Sequence, residues 1–458
     1  MALSELIEIV PLDKPVRAEI TVPGSKSITN RALILAALAD GEVTLTGALW
    51  SEDTQIMVEC LQKLGFDIRV ENDPAEFCNR TITVKGLGGK IPNAGTAEKP
   101  LELFVGNAGT AARFLSAFVC LGNGVYRLSG VARMHERPQA ALFQALRELD
   151  YRVESENNKL PVKIFGEGPK KGKCRVSIEE SSQFASALLL CAKIGGWETE
   201  FCGVSNWDEM PYVEMTKRMI ENFPNSNFQF SIEPDSSSGS YFWAAGWLQN
   251  PNQITIQVKS WPTSLLQIDT EFPTFLKPEL PEKLSRRLEL GDSIMTAVIL
   301  APFSKHQVQF TDLGRLRLQE SERVKALQKE LTKCGVEVID HGAKIRLEKG
   351  DGFLVMEDGT PIEMEGLDTL EVFPVKPNQL CRAEIETYND HRMAMCFAIL
   401  GLKVPGIKIK NPACVKKTFP NFFQKLAAQP PHGLGAEIWE IKNGQRTRKL
   451  SGEDLFAE

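Results

Sequence analysis

A pattern of two halves returns six times along the chain, and it constrains the fold more than any other feature of the sequence. The leading half is a polar start, a run of small and apolar residues, a turn and a strand. Three copies begin at Ser25-Lys26-Ser27 (then RALILAALADG and EVTLTGA), at Gly106-Asn107-Ala108-Gly109 (TAARFLSAFVCLGNG, VYRLSG) and at Ser181-Ser182 (QFASALLLCAKIGG, WETEFCG). Three more begin at Ser238-Gly239-Ser240 (YFWAAGWLQN, QITIQVK), Gly291-Asp292-Ser293 (IMTAVILAPFSK, HQVQFTD) and Asn389-Asp390 (HRMAMCFAILGLKVPG, IKIKN). The trailing half is an amphipathic helix followed by a strand, as in QESERVKALQKELTKCG with VEVID. In the fourth copy this trailing half reads DTEFPTFLKPEL, and its prolines suit a helix poorly.

The first helix of each copy is apolar on nearly every face, so burial is expected. Strands alternating with helices predict α/β sheets. The simplest division of six copies is three per lobe, with a boundary near residue 240.

Each buried run opens with Ser, Asn or Asp, residues that satisfy the free N–H groups of a helix start. A helix start also carries partial positive charge and open donors, so six converging starts would create a strong anion field. Lys26, Arg31, Arg113, Arg133, Arg137, Arg323, Arg392, Lys416 and Lys417 sit near these starts. One cap is explained by capping alone. Arginines beside apolar helices are costly to bury without anions, so the set points to a shared anion site. The net charge of -6 excludes a global field for nucleic acid, which makes this local clustering informative.

No run of about 18 apolar residues occurs, so no membrane span is expected. The N-terminus MALSELIEIV lacks the basic start and long apolar stretch of a signal peptide. Ten cysteines include no CxxC pair, and Cys60, Cys120, Cys191 and Cys396 lie in apolar runs. They read as buried thiols of a reducing, cytoplasmic compartment. His391 reads either as a catalytic group or as a structural histidine beside Asp390. His135, His306, His341 and His432 show no metal-ligand spacing, so neither metal nor cofactor is expected.

PGSKSITNRALILAALA, GNAGTAARFL, RMHERP, SSQ, SSSGSYFWAA, QESER, YNDHRMAM and KKTFPNFF follow one another in order. This series resembles the EPSP synthase family from about Pro23 to Leu426, and PGSKS with NRAL and NDHRMAM carry most of the specificity. The resemblance implies two lobes of three βαβαββ units each, with substrates in the cleft between them. It implies an N-terminal segment, residues 1–22, packed on the C-terminal lobe. The lobes would span residues 23–240 and 241–458. It also implies a monomer that transfers the enolpyruvyl group of phosphoenolpyruvate to shikimate 3-phosphate, without nucleic acid or membrane partners.

By the same resemblance, Lys26, Asn107, Gly109, Arg113, Arg137, Gln183, Arg323, Arg392 and Lys417 are expected to hold phosphoenolpyruvate. Lys26, Ser27, Arg31, Ser181, Ser182, Gln183, Tyr212 and Asp292 are expected to hold shikimate 3-phosphate. Addition followed by elimination needs proton carriers on opposite sides of the reacting carbon. Asp292 fits the base at the 5-hydroxyl, Glu320 fits the C3 proton carrier, and Lys26 fits the acid–base partner. The alternatives are a plain helix cap for Asp292, a surface pair for Glu320 and Arg323, and a solvated Lys26.

Three departures from the family pattern stand out. Gln319 replaces the lysine that usually precedes the catalytic glutamate, with Arg315 or Arg317 as possible substitutes. Glu209-Met210-Pro211-Tyr212 replaces Ser-Lys-Pro-Tyr, and Phe114 stands where a proline usually follows the arginine of the second signature, a change expected to alter the pocket wall and inhibitor sensitivity. They leave open a different acceptor or a catalytically silent, ligand-binding relative. The related UDP-N-acetylglucosamine enolpyruvyl transferases carry a cysteine in the loop that here reads VARMHERP, which has none. Beyond about residue 432, EIWEIKNGQRTRKL reads as a hairpin turning at Asn443-Gly444, as either an extra edge strand or an interaction element.

Overall fold

In the computed structural model the described residues are 3–202, 210–224, 227–342 and 368–458. The apolar runs form six helices: α1 Lys26–Leu38, α2 Gly109–Phe118, α3 Gln183–Gly195, α4 Ser236–Gln249, α5 Ile294–Leu300 and α6 His391–Gly401. Every residue of α2 and α5 is buried, as expected of helices with no polar face. Amphipathic helices follow at Glu52–Lys63, Ala140–Glu148, Pro211–Asn222, Arg323–Lys333 and Phe422–Ala427. In the fourth copy the prolines leave only a tight turn, Ile268–Glu271, and one helical turn, Phe272–Phe275.

The strands among the described residues form six sheets, each with one parallel pair. In four sheets a buried helix joins the two parallel strands, as α2 joins Leu101–Phe104 to Asn123–Ser129. The remaining two sheets exchange strands. Ala18–Ile20 leads into α1 yet pairs with Ile256–Val258, which follows α4. Phe228–Ser231 leads into α4 yet pairs with Asp40–Leu49, which follows α1. The two crossing segments lie side by side, with Ser25 N donating to Glu233 O at 2.9 Å and Asp235 N to Pro23 O at 2.8 Å.

The buried apolar residues fall into two clusters. One runs from Ile28 to Ile232, and the other joins Leu3–Val22 to residues from Tyr241 to Ala457. Strand Leu6–Ile9 lies antiparallel between Ile407–Lys410 and Ile438–Lys442. The tail forms the expected hairpin, with Gln445–Lys449 as the edge strand. Asn443 (φ 51°) and Gly444 (φ 77°) make its two-residue loop, where both positions need a left-handed backbone.

The helix starts differ from the sequence expectation. Asp235 and Asp390 accept from backbone N–H groups of their own helices, α4 and α6. Ser25, Ser182 and Ser293 make no such bond, and the residue preceding α2 is Ala108 rather than Asn107. Ser182 already has helical backbone angles (φ −66°, ψ −12°), unlike the extended conformation typical of a capping serine. Asp292 is not a cap either; it sits in the tight turn Gly291–Ser293 ahead of α5. No helix among the described residues is long and apolar enough to cross a membrane. Cys60, Cys120, Cys191 and Cys396 are buried. Burial pushes the Cys60 and Cys396 thiols up to about 12, so both stay protonated.

Candidate active site

The starts of all six buried helices line one cavity between the two clusters, through Lys26, Gly109, Gln183, Ser237 and Arg392 and through Asp292 ahead of α5. Ser27, Arg31, Arg113, Arg137, Ser181, Ser182, Tyr212 and Glu320 line it too. Groups far apart in the chain touch there. Lys417 Nζ donates to Asn107 O at 3.2 Å, and Arg133 Nη2 donates to Gln319 O at 2.8 Å.

One side of the cavity is built around Glu320. Lys417 Nζ lies 2.8 Å from Glu320 Oε1, Arg323 Nη2 2.7 Å from Oε2, and Arg137 Nη1 4.0 Å from Oε1. Burial alone would raise the Glu320 carboxyl. Lys417, Arg323 and Arg137 overcome it and hold the group well below the usual range. Glu320 precedes the helix Arg323–Lys333, and the pair is buried, which rules out a solvated surface contact. Arg113 donates to Pro138 O at 2.8 Å. Its Nε and Nη1 are buried with no partner among the described residues. A Cβ on Gly109 would come within 2.6 Å of Arg113 Nη1 and 2.7 Å of Arg137 Nη2, so glycine lets both guanidiniums lie over the start of α2. Surplus donors in a low-dielectric pocket demand an anion.

The other side is built around Asp292. Arg286 Nη2 approaches Asp292 Oδ1 at 2.8 Å, while Arg392 Nη2 and Arg323 Nη1 lie 3.1 Å and 3.9 Å from Oδ2. Burial opposes ionisation, but Arg392, Arg286 and Arg323 keep this carboxyl far below the usual range. Asp269, 4% exposed, accepts from Ser293 N at 2.6 Å. Burial and the neighbouring Asp292 charge push it up to about 7. Arg31 is fully buried and donates to neutral oxygens: Thr216 Oγ1, Ser27 O, Ser186 Oγ and Tyr212 O. Burial lowers it to about 10, so it still carries its charge at neutral pH. Lys26 is not merely solvated; its Nζ lies 3.1 Å from Asp53 Oδ2.

Three predicted residues stand slightly apart from the cavity wall. Asn107 offers its carbonyl to Arg137 and Lys417. Lys417 reaches Glu320 from behind. Arg323 is 1% exposed and ties Glu320 to Asp390, its Nε lying 2.8 Å from Asp390 Oδ2. His391 is buried, and burial with the Arg392 charge pushes it well below its usual value, leaving it neutral.

The departures from the family pattern are partly resolved. Gln319 Oε1 accepts from Arg323 Nη1 at 2.9 Å. Arg317 is engaged by Asp340, Asp368 and Glu322. Arg315 lines the cavity and donates to Ile178 O at 2.7 Å and Glu179 O at 3.2 Å. Phe114 does not form the pocket wall. It follows Arg113 on α2, faces the core, and supports Arg31 from behind, with the ring centroid 5.3 Å from the guanidinium carbon. Glu209 lies outside the described residues. Sequence reasoning missed Asp53, Asp235, Asp269 and Arg286, all on the cavity wall. Only Asp235 had a signal, as the residue preceding a serine-rich helix start.

The sequence model of EPSP synthase (3-phosphoshikimate 1-carboxyvinyltransferase) matches residues 11–226 and 288–426. The stretch between them contains Asp235, Asp269 and Arg286. Among curated relatives, the 3-phosphoshikimate 1-carboxyvinyltransferase of Opitutus terrae is 36% identical, covering 93% of this chain and 98% of its own. That of Nostoc punctiforme is 33% identical, covering 92% and 98%. An EPSP synthase structure from Acinetobacter baumannii superposes with a TM-score of 0.64 at 20% identity, covering 94% of this chain and 99% of that one. The enolpyruvyl transferase NikO from Streptomyces tendae gives 0.62 at 14% identity, covering 95% and 98%. These two share the fold. With the family model matching most of the chain and relatives above 30% identity along nearly all of it, the chain belongs to the EPSP synthase family.

Proposed function

We propose that this chain transfers the enolpyruvyl group of phosphoenolpyruvate to the 5-hydroxyl of shikimate 3-phosphate, releasing phosphate. The observation that carries the reading is one cavity holding two separate carboxylates, Asp292 and Glu320, each embedded in cations. Curated relatives along nearly the whole chain carry that activity in their names.

Phosphoenolpyruvate fits the Glu320 side, where Arg113 and Arg137 present planar forks matched to phosphate and carboxylate. Arg392 and Gln183 would complete its shell, and Arg323 would hold Glu320 and Asp390 in place. The acceptor fits the Asp292 side, with Arg31 taking an anionic group and Ser27, Ser181, Ser182 and Tyr212 taking oxygens. Attack of the hydroxyl on C2 requires loss of its proton to Asp292 or Lys26. C3 gains a proton that passes from Lys417 through Glu320, which is ionised at rest. Departure of phosphate then returns a proton from C3 to Glu320. The surrounding cations stabilise developing charge without reorganising.

The reading includes the division into a segment 1–22, a lobe 23–240 and a lobe 241–458, supported by the two apolar clusters and the exchanged strands. It also includes a monomer, supported by a site assembled from a single chain, and a cytoplasmic setting, supported by the buried thiols. Phosphate release on mixing both substrates tests the activity. Release that needs both supports it; no release with shikimate 3-phosphate overturns it, and UDP-N-acetylglucosamine as acceptor tests the principal rival.

A further inference from the structure

Arg286 has no substrate-binding role above, yet it occupies a demanding position. It lies in the turn Arg286–Leu290, outside the stretches matched by the family model. Its side chain is 8% exposed and lines the cavity. Nη2 reaches Asp292 Oδ1 at 2.8 Å, while the buried Nε has no hydrogen-bond partner among the described residues. A guanidinium buried with an unmet donor is costly unless a ligand completes it.

The charge count around Asp292 points the same way. Arg286, Arg392 and Arg323 all stand within 4.0 Å of one carboxylate. One anion does not neutralise three guanidiniums. Arg323 also holds Glu320 and Asp390, and Arg392 also donates to Ser237 Oγ at 2.6 Å. Arg286 has no second acid of this kind among the described residues. It stands on the Asp292 side, electrostatically coupled to Tyr212.

We propose that Arg286 is an acceptor-binding residue whose guanidinium is held by Asp292 in the free enzyme and engages the phosphate of the bound acceptor. A phosphate dianion supplies the charge and the planar pair of oxygens that a guanidinium fork accepts. Gln319, which carries no charge, leaves room for a cation of this kind. Sharing Arg286 with the phosphate also weakens its hold on Asp292, so acceptor binding makes that carboxylate a better base.

The inference rests on the acceptor assignment above, and the test separates the two. Titration of wild type, Arg286→Gln and Arg286→Lys with shikimate 3-phosphate and with shikimate reads the phosphate contribution directly. The expected result is a loss of about ten- to a hundredfold in shikimate 3-phosphate affinity for Arg286→Gln. Shikimate affinity and the KM for phosphoenolpyruvate stay within about twofold. Arg286→Lys, which keeps the charge but not the fork, recovers some of the loss. Equal losses for both acceptors, or none for either, overturn the proposal, because Arg286 would then only orient Asp292. Unchanged thermal unfolding of Arg286→Lys guards against misfolding. Wild type that turns over shikimate 3-phosphate while Arg286→Gln loses equally on both acceptors, or on neither, sinks this inference alone; wild type that neither binds nor turns over that acceptor sinks both.

Discussion

The two lobes face the same crevice with helix starts of opposite character. In the N-terminal lobe, α1, α2 and α3 begin after Ser25, Ala108 and Ser182, none of which caps its helix; instead Asp235 Oδ2 accepts from Lys26 N at 3.3 Å and Ser181 Oγ from Gln183 N at 3.2 Å. Ahead of α4, α5 and α6, whose apolar residues belong to the second cluster, aspartates occupy the corresponding ground. Asp235 and Asp390 cap α4 and α6, and Asp269 takes the N–H of Ser293 at the start of α5. The first lobe therefore offers helix ends, neutral hydroxyls and the Lys26–Asp53 pair. The second offers acids threaded between arginines. Helix ends and hydroxyls can bind an anion but are poor proton acceptors, so apart from Lys26 proton transfer depends on Asp292 and Glu320 of the second lobe.

The strongest way to break this contrast is to remove an acid. Asp292→Asn or Glu320→Gln is expected to lower kcat by about a hundred- to ten-thousandfold, measured as phosphate release. A smaller effect would return the chemistry to the first lobe. Next comes a cation of the first lobe. Arg113→Gln is expected to raise the KM for phosphoenolpyruvate about ten- to a hundredfold while kcat falls less, since the contact is one of binding. A pure kcat defect would contradict that role.

Asp269 sharpens the contrast through pH. Its carboxyl is raised to about 7, so it is neutral below that pH and charged above it. Its charge adds to that of Asp292 and opposes an anionic acceptor, with Arg392 nearby offsetting some of it. The acceptor KM should thus rise about threefold as pH increases through 7, and Asp269→Asn should flatten the step. A step that persists in the variant assigns it to another group. The smallest effect is on stability. Asp235→Ala removes a cap and should cost about 1 kcal/mol in denaturant unfolding, whereas Ser182→Ala should cost almost nothing. Equal costs would erase the distinction between the lobes.

Most of this architecture was legible because six apolar runs can only be buried and their polar starts mark helix ends. The cavity followed from those starts, and its arginines from their cost of burial. The capping chemistry was not legible, because a serine before an apolar run looks the same whether its backbone is extended or already helical. Asp269 and Arg286 carried no signal, since both sit in irregular turns where no period picks them out. Phe114 was misplaced for a related reason: sequence adjacency to Arg113 says nothing about a neighbour that lies about 100° around the helix. The strand exchange was also invisible, because α1 and α4 have the same local pattern as the other four helices.

That exchange has a consequence for synthesis. Strand Asp40–Leu49 emerges early, but its parallel neighbour arrives only with Phe228–Ser231, and Leu6–Ile9 waits for Ile407–Lys410 and Ile438–Lys442. A nascent chain thus carries open hydrogen-bonding edges for most of translation, and such edges invite pairing with other chains. Cutting the gene near residue 240 should sever α4 and leave Leu6–Ile9 and Ala18–Ile20 on one fragment and their partner strands on the other, so that the fragments are competent only when mixed.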